Sequence, residues 1–155
     1  GHRVCHSMSS PANDRDLVGR ELVTLHDEPV VADVAAIGPL VDRVTQAVRT
    51  ANAAAGKQEA VELALNEALT NAVVHGCGSD PRKTVRVVVA RDHDGGLAIV
   101  VRDSGAGFDP ATIPSPLQGD RIYSAGGRGL FLIRNLMDDV RFRDDGREIR
   151  MYVRP

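Results

Sequence analysis

The stretch from Thr84 to Asp103 constrains this chain most. Two β-branched runs, TVRVVVAR and LAIVVRD, stand on either side of DHDGG. Runs of that composition favour strands, and a short Asp/Gly segment between them closes a hairpin. The C-terminal DVRFRDDGREIRMYVR reads the same way. There Val140, Phe142, Ile149, Met151 and Val153 alternate with arginines and other polar residues around an Asp-Gly turn. Period-two alternation gives a sheet one apolar face that must be covered. The other face carries the arginines at 141, 143, 150 and 154 and is expected to meet water or a partner.

The cover comes from segments of helical period. Val34, Ile37, Val41, Val44 and Val48 predict a helix within Val31 to Ala55, ended by Gly56 and kinked or started late by Gly38-Pro39. A second helix is expected from about Gln58 to His75, closed by Gly76, and a third from about Gly129 to Met137. A short strand is expected at Glu21–Leu25. Helices grouped on a mixed, mainly antiparallel sheet make a two-layer α+β sandwich with about three helices.

Chain length and composition narrow the class. With 155 residues, 43% hydrophobic and 26% charged, one soluble globular domain is expected. Residues 20–155 are read as that domain, and 1–19 as a tag remnant, GHRVCHSM, followed by a loose lead-in. A net charge of -2, 3% aromatics and no Trp argue against direct nucleic-acid binding. No apolar run suits a membrane span, and two cysteines make no disulfide framework, so a cytoplasmic location is expected.

Three segments could carry chemistry. In LNEALTNAVVHG, Glu67, Asn71 and His75 stand four apart. At about 100° per residue, Asn71 lies near 40° and His75 near 80° from Glu67, with Ala60, Ala64 and Ala68 in the same sector. Val61, Leu65, Leu69 and Ala72 lie on the far side. The helix thus has two polar faces, one of them lined by alanines. Either this is a second solvated stripe, or the small residues leave room for a ligand. His75 alone fits a helix-end residue favoured by the dipole.

In VVRDSGAGFDP, Asp103 ends an apolar strand and can accept a hydrogen bond from an exocyclic amine, while Gly105 and Gly107 permit close backbone approach. An ordinary Asp-Ser-Gly turn has the same composition. In SAGGRGLFLIRNLMDDV, glycines run straight into a helix, leaving free N–H groups at a positive dipole end. A flexible hinge ahead of a helix cap reads alike. The segment from Ser104 to Gly129 is long for a connection, and such loops are usually functional or disordered.

Taken in this order, the three segments resemble the Bergerat-fold (GHKL) ATPases, the superfamily of gyrase, sensor histidine kinases and mismatch-repair ATPases. The resemblance covers about residues 20 to 154. Within it, LNEALTNAVVHG, DSGAGFDP and GGRGLFLIRNLMDDV are most similar to the small anti-sigma-factor serine/threonine protein kinases, whose ATPase domain is histidine-kinase-like.

The resemblance implies ATP and Mg²⁺, with Glu67 as general base for a serine or threonine hydroxyl and Asn71 as metal ligand. Asp103 would hold the adenine amino group, with Gly105 and Gly107 shaping its pocket. Gly127 and Gly129 would cover the phosphates, with Arg128 and Leu130 beside them and His75 at the helix end. The implied partners are a sigma factor or similar regulator, a STAS-domain anti-anti-sigma protein with a phosphorylatable serine, and a second copy in a homodimer. One position departs: the better-known kinases place an arginine where Ala125 stands, and Arg128 or Arg121 is the candidate substitute. A non-catalytic, nucleotide-dependent module that sequesters a regulator is the alternative. A piece of a sensor kinase or gyrase-type machine fits less well, for want of a phospho-acceptor helix pair.

Overall fold

A computed structural model describes residues 21–104 and 127–155, with the backbone alone at Gly127 and Arg128. The elements run β1 (Val23–Val31), a 3₁₀ turn (Val34–Ala36), α1 (Ile37–Thr50), α2 (Gln58–Thr70), β2 (Thr84–Arg91), β3 (Leu97–Asp103), α3 (Gly127–Leu136), β4 (Asp139–Arg143) and β5 (Glu148–Val153). Sheet order is β1-β2-β3-β5-β4, and every neighbouring pair among the described strands is antiparallel. The expected two-layer α+β sandwich is the one that forms. The chain leaves β3, passes through α3 to the edge strand β4, and returns as β5 between β4 and β3. This crossover lays α3 beside α2.

The period-two pattern decides which sheet face is covered. Val85, Val87 and Val89 of β2, Leu97, Ile99 and Val101 of β3, and Ile149, Met151 and Val153 of β5 share one buried core. They meet Leu40, Val44 and Val48 of α1, Val61, Leu65 and Leu69 of α2, and Leu130 and Ile133 of α3. Full burial of one such aliphatic side chain contributes about 1.5–3 kcal/mol.

Three expectations need correction. The first strand is longer than Glu21–Leu25 because Val30 and Val31 pair with Val85 and Thr84 at the sheet edge. Its polar middle, His26-Asp27-Glu28, and Pro29 hide a strand in sequence, yet an edge strand tolerates both. The first helix accordingly starts at Ile37, with Pro39 in its first turn, where a missing N–H costs nothing. It ends at Thr50 rather than near Gly56, and Val34 is left exposed in the 3₁₀ turn. Finally, the arginine face is not uniformly wet. Arg141 and Arg154 are exposed, but Arg150 is 2% exposed, its Nε donating to Glu148 Oε2 at 2.6 Å. β5 is an inner strand, so a long charged side chain there must find its counter-ion within the sheet.

Candidate functional site

The second helix is not one regular helix. After Thr70 the chain widens into a π-helical turn, Asn71–Gly76, in which the Cys77 N–H donates to Ala72 C=O at 2.9 Å. Such turns occur often at functional sites, and they break the 100° count. Glu67, in the last turn of α2, and Asn71, at the switch, keep their four-residue neighbourhood, and both are half-buried. His75 does not follow them: it is exposed and is not among the residues that line the recess described below. The alanines are mostly spent on packing, since Ala64 and Ala68 are buried in the core.

Three approaches of backbone to side chain define the site. A Cβ on Gly129 would stand 2.8 Å from Glu67 Oε2 and 3.4 Å from Asn71 Nδ2. The first turn of α3 therefore lies against the acid and the amide, and a Cβ there would make the Glu67 carboxylate shift. A Cβ on Gly76 would stand 2.5 Å from Asp103 Oδ2, so the end of the π turn lies flat on that carboxylate. Asp103 is 6% exposed, and its N–H donates to Arg147 C=O at 2.9 Å, which ties the end of β3 to the β4–β5 turn. Between these contacts lies a recess lined by Ala68, Asn71, Ala72, Val101, Asp103 and Leu130 from one side. Phe142, Gly146, Arg147 and Ile149 close the other.

The electrostatics are those of a half-dry site. Asn71 Nδ2 is buried without a hydrogen-bond partner. Such an amide can be turned to present Oδ1 as readily, because its hydrogen bonds alone set its orientation. Mg²⁺ takes one or two protein oxygens beside waters and phosphates, so a lone amide oxygen next to the Glu67 carboxylate suits it. Among the described residues no group of three His, Cys, Asp or Glu forms a metal cage. Burial pushes the Cys77 thiol above its ordinary range, opposed by the Ser104 N–H and aided to a lesser degree by the Asp103 charge. Cys77 is thus held as an inert core thiol.

Of the residues expected from sequence, Glu67, Asn71 and Gly129 meet, and Asn71 and Asp103 both line the recess. Leu130, 7% exposed, lines the space between. Gly127 and Arg128 contribute backbone to the first turn of α3. Gly105, Gly107, Arg121 and Ala125 lie outside the described residues. Sequence reasoning missed Gly76 as a packing partner of Asp103, having read it only as a helix stop. It also missed Arg147, Phe142 and Ile149; alternation in the hairpin signals two of these as inward-facing, whereas nothing signals Arg147.

Comparison with known proteins gives the family of this fold. The histidine kinase-like ATPase domain pattern matches residues 30–153, and the chain belongs to that family. Within it the chain falls among the anti-sigma-factor serine kinases. It is 35% identical over 114 residues to an anti-sigma F factor of Heyndrickxia coagulans, covering 72% of this chain and 67% of that one. It is 34% identical over 102 residues to the serine-protein kinase RsbW of Listeria monocytogenes, covering 60% and 63%. A solved histidine kinase domain from Erythrobacter litoralis EL346 superposes with TM-score 0.48 at 17% identity, over 76% of this chain and 60% of that chain. Among the described residues no helix is long and apolar enough to cross a membrane.

Proposed function

We propose that this chain is an ATP- and Mg²⁺-dependent protein serine/threonine kinase and anti-sigma-type regulator. Its substrate would be one serine of a STAS-domain antagonist, and its regulatory target a sigma factor or similar protein, bound by a homodimer. The observation that carries the reading is the meeting of Glu67 and Asn71 on the glycine backbone at the start of α3, with Asp103 in the lining of the recess that Asn71 also borders. The likeness to the family's motifs orients a nucleotide there with its base at Asp103 and its terminal phosphate beside Glu67.

The chemistry asked of the chain is modest. Glu67 takes the proton from the serine hydroxyl as its oxygen bonds to the γ-phosphorus. The bond from that phosphorus to the β,γ-bridging oxygen breaks, and ADP leaves. General-base help of this kind is worth roughly 10²–10⁴-fold, the remainder coming from positioning and charge stabilisation. The N–H groups of the first turn of α3 supply the positive end of a helix dipole for the phosphates. Asn71 would hold Mg²⁺, which when bound offsets phosphate charge.

Incubation with labelled ATP and candidate STAS antagonists tests the reading. Wild type is expected to label the antagonist, and Glu67→Gln to slow labelling by about 10²-fold or more. Unchanged transfer in the variant would remove Glu67 as base. The second reading, a non-catalytic module using nucleotide to grip a regulator, is favoured by Ala125 standing where the better-known kinases carry arginine. It predicts calorimetric ATP binding with no transfer by the wild type.

A further inference from the structure

Arg147 lines the recess with its side chain outside the ion-pair network around it. Nearby, Arg102 pairs with Asp144 and Glu148, and Arg150 with Glu148. Arg147 has no ion-pair partner among the described residues, and its Nε is buried with no hydrogen-bond partner. A buried donor left unpaired is destabilising, and one that persists at the wall of a recess points to a missing acceptor.

Its place relative to Asp103 is fixed by backbone. β3 and β5 pair with Arg102 opposite Glu148, so the next step brings Asp103 opposite Arg147. The Asp103 N–H to Arg147 C=O hydrogen bond, 2.9 Å, closes that step. Asp103 and Arg147 are therefore cross-strand neighbours, and both line the recess together with Val101, Phe142 and Ile149.

Resting on the reading of this recess as a nucleotide site, we propose that Arg147 is a base-specificity residue, its Nε–H donating to ring nitrogen N1 of adenine. Adenine carries a donor, the 6-amino group, beside an acceptor, N1. Asp103 and Arg147 present the complementary acceptor and donor in the same adjacency. Guanine in that pose would turn its 6-oxygen to the carboxylate and its N1–H to the guanidinium, two like-against-like contacts. A carboxylate alone would reject the first of these; Arg147 adds the second.

The test is calorimetric binding of ATP, GTP and 1-deaza-ATP, which has C–H in place of N1. The proteins are wild type, Arg147→Met, Arg147→Lys and Asp103→Asn. Wild type is expected to bind ATP about tenfold more tightly than 1-deaza-ATP, the worth of one hydrogen bond from a charged donor. Arg147→Met should bind the two alike and narrow the preference for ATP over GTP. Arg147→Lys should restore part of it. Equal wild-type affinities for ATP and 1-deaza-ATP would overturn the proposal without any variant, as would an unchanged ratio in Arg147→Met. If wild type binds ATP and Asp103→Asn does not, while Arg147→Met behaves as wild type, the nucleotide site stands and only Arg147 loses its role. Wild type that binds no nucleotide overturns both.

Discussion

At the scale of single residues, the site depends on side chains that are absent as much as on those present. Gly76 and Gly129 each lie where a Cβ would collide with a functional group, Asp103 in one case and Glu67 in the other. Gly38 in α1 has nothing within 4 Å of an added Cβ. The two kinds of glycine should answer differently to alanine. Gly38→Ala, in the first turn of α1 and just before Pro39, is expected to be near neutral, the propensity gain being offset by the new Cβ against the proline ring. Gly76→Ala must push the buried Asp103 carboxylate aside and should cost about 1–3 kcal/mol, with loss of nucleotide affinity. Urea titration and ATP calorimetry check both, and a neutral Gly76→Ala would deny the close packing. Likeness to the family's motifs singled out Glu67, Asn71, Asp103 and Gly129 as candidates, and the structure brings Glu67, Asn71 and Gly129 together. Gly76 was half-legible, since a glycine after a helix reads first as a stop. Arg147 was illegible: a charged residue in a turn looks solvated until its surroundings are known.

At the scale of elements, the hairpins were plain and the sheet edge was not. β2, β3 and β5 have a buried face whose alternation is written into the sequence, whereas β1 is held at the edge by pairing and by ion pairs. Asp27 accepts from Arg86 Nε at 2.8 Å, and Glu28 accepts from Arg43 of α1 at 2.6 Å. The π-helical turn was equally hidden, because a uniform 100° count has no mark for one inserted residue. The Glu28–Arg43 pair offers a test of how β1 is fastened. The Arg43 hydrogen bond, opposed by partial burial and aided by His26, holds the Glu28 carboxyl below its ordinary range. A depressed folded-state value means stability that is present above the unfolded carboxylate range and lost as pH falls through the folded one. Arg43→Ala should therefore lower the thermal midpoint slightly at neutral pH, as exposed pairs do. The gap to wild type should close in acid, once Glu28 is protonated in both proteins. A gap that stays constant to low pH would mean that Arg43 acts through its aliphatic packing instead.

At the scale of the whole molecule, the recess is assembled from parts remote in the chain. α2 and its π turn supply one wall, the end of β3 the floor, α3 one rim, and the β4–β5 hairpin the far wall. None of these closes the recess alone, and β5 reaches its position only after the crossover through α3. A ligand held there would bind the native assembly and not the unfolded chain. Linkage then requires it to raise global stability by RT ln(1 + [L]/Kd), about 2.7 kcal/mol at a hundredfold excess over Kd. For a domain of this size that is a rise of roughly 5–10 °C in the unfolding midpoint. ATP with Mg²⁺ should produce that rise in wild type and lose it in Asp103→Asn. The same rise should persist in Glu67→Gln, because a proton-accepting group can be neutralised without dismantling the recess. A midpoint in wild type indifferent to ATP would empty the recess of its proposed ligand. A shift abolished equally by Glu67→Gln would instead make Glu67 a binding group first and a base second.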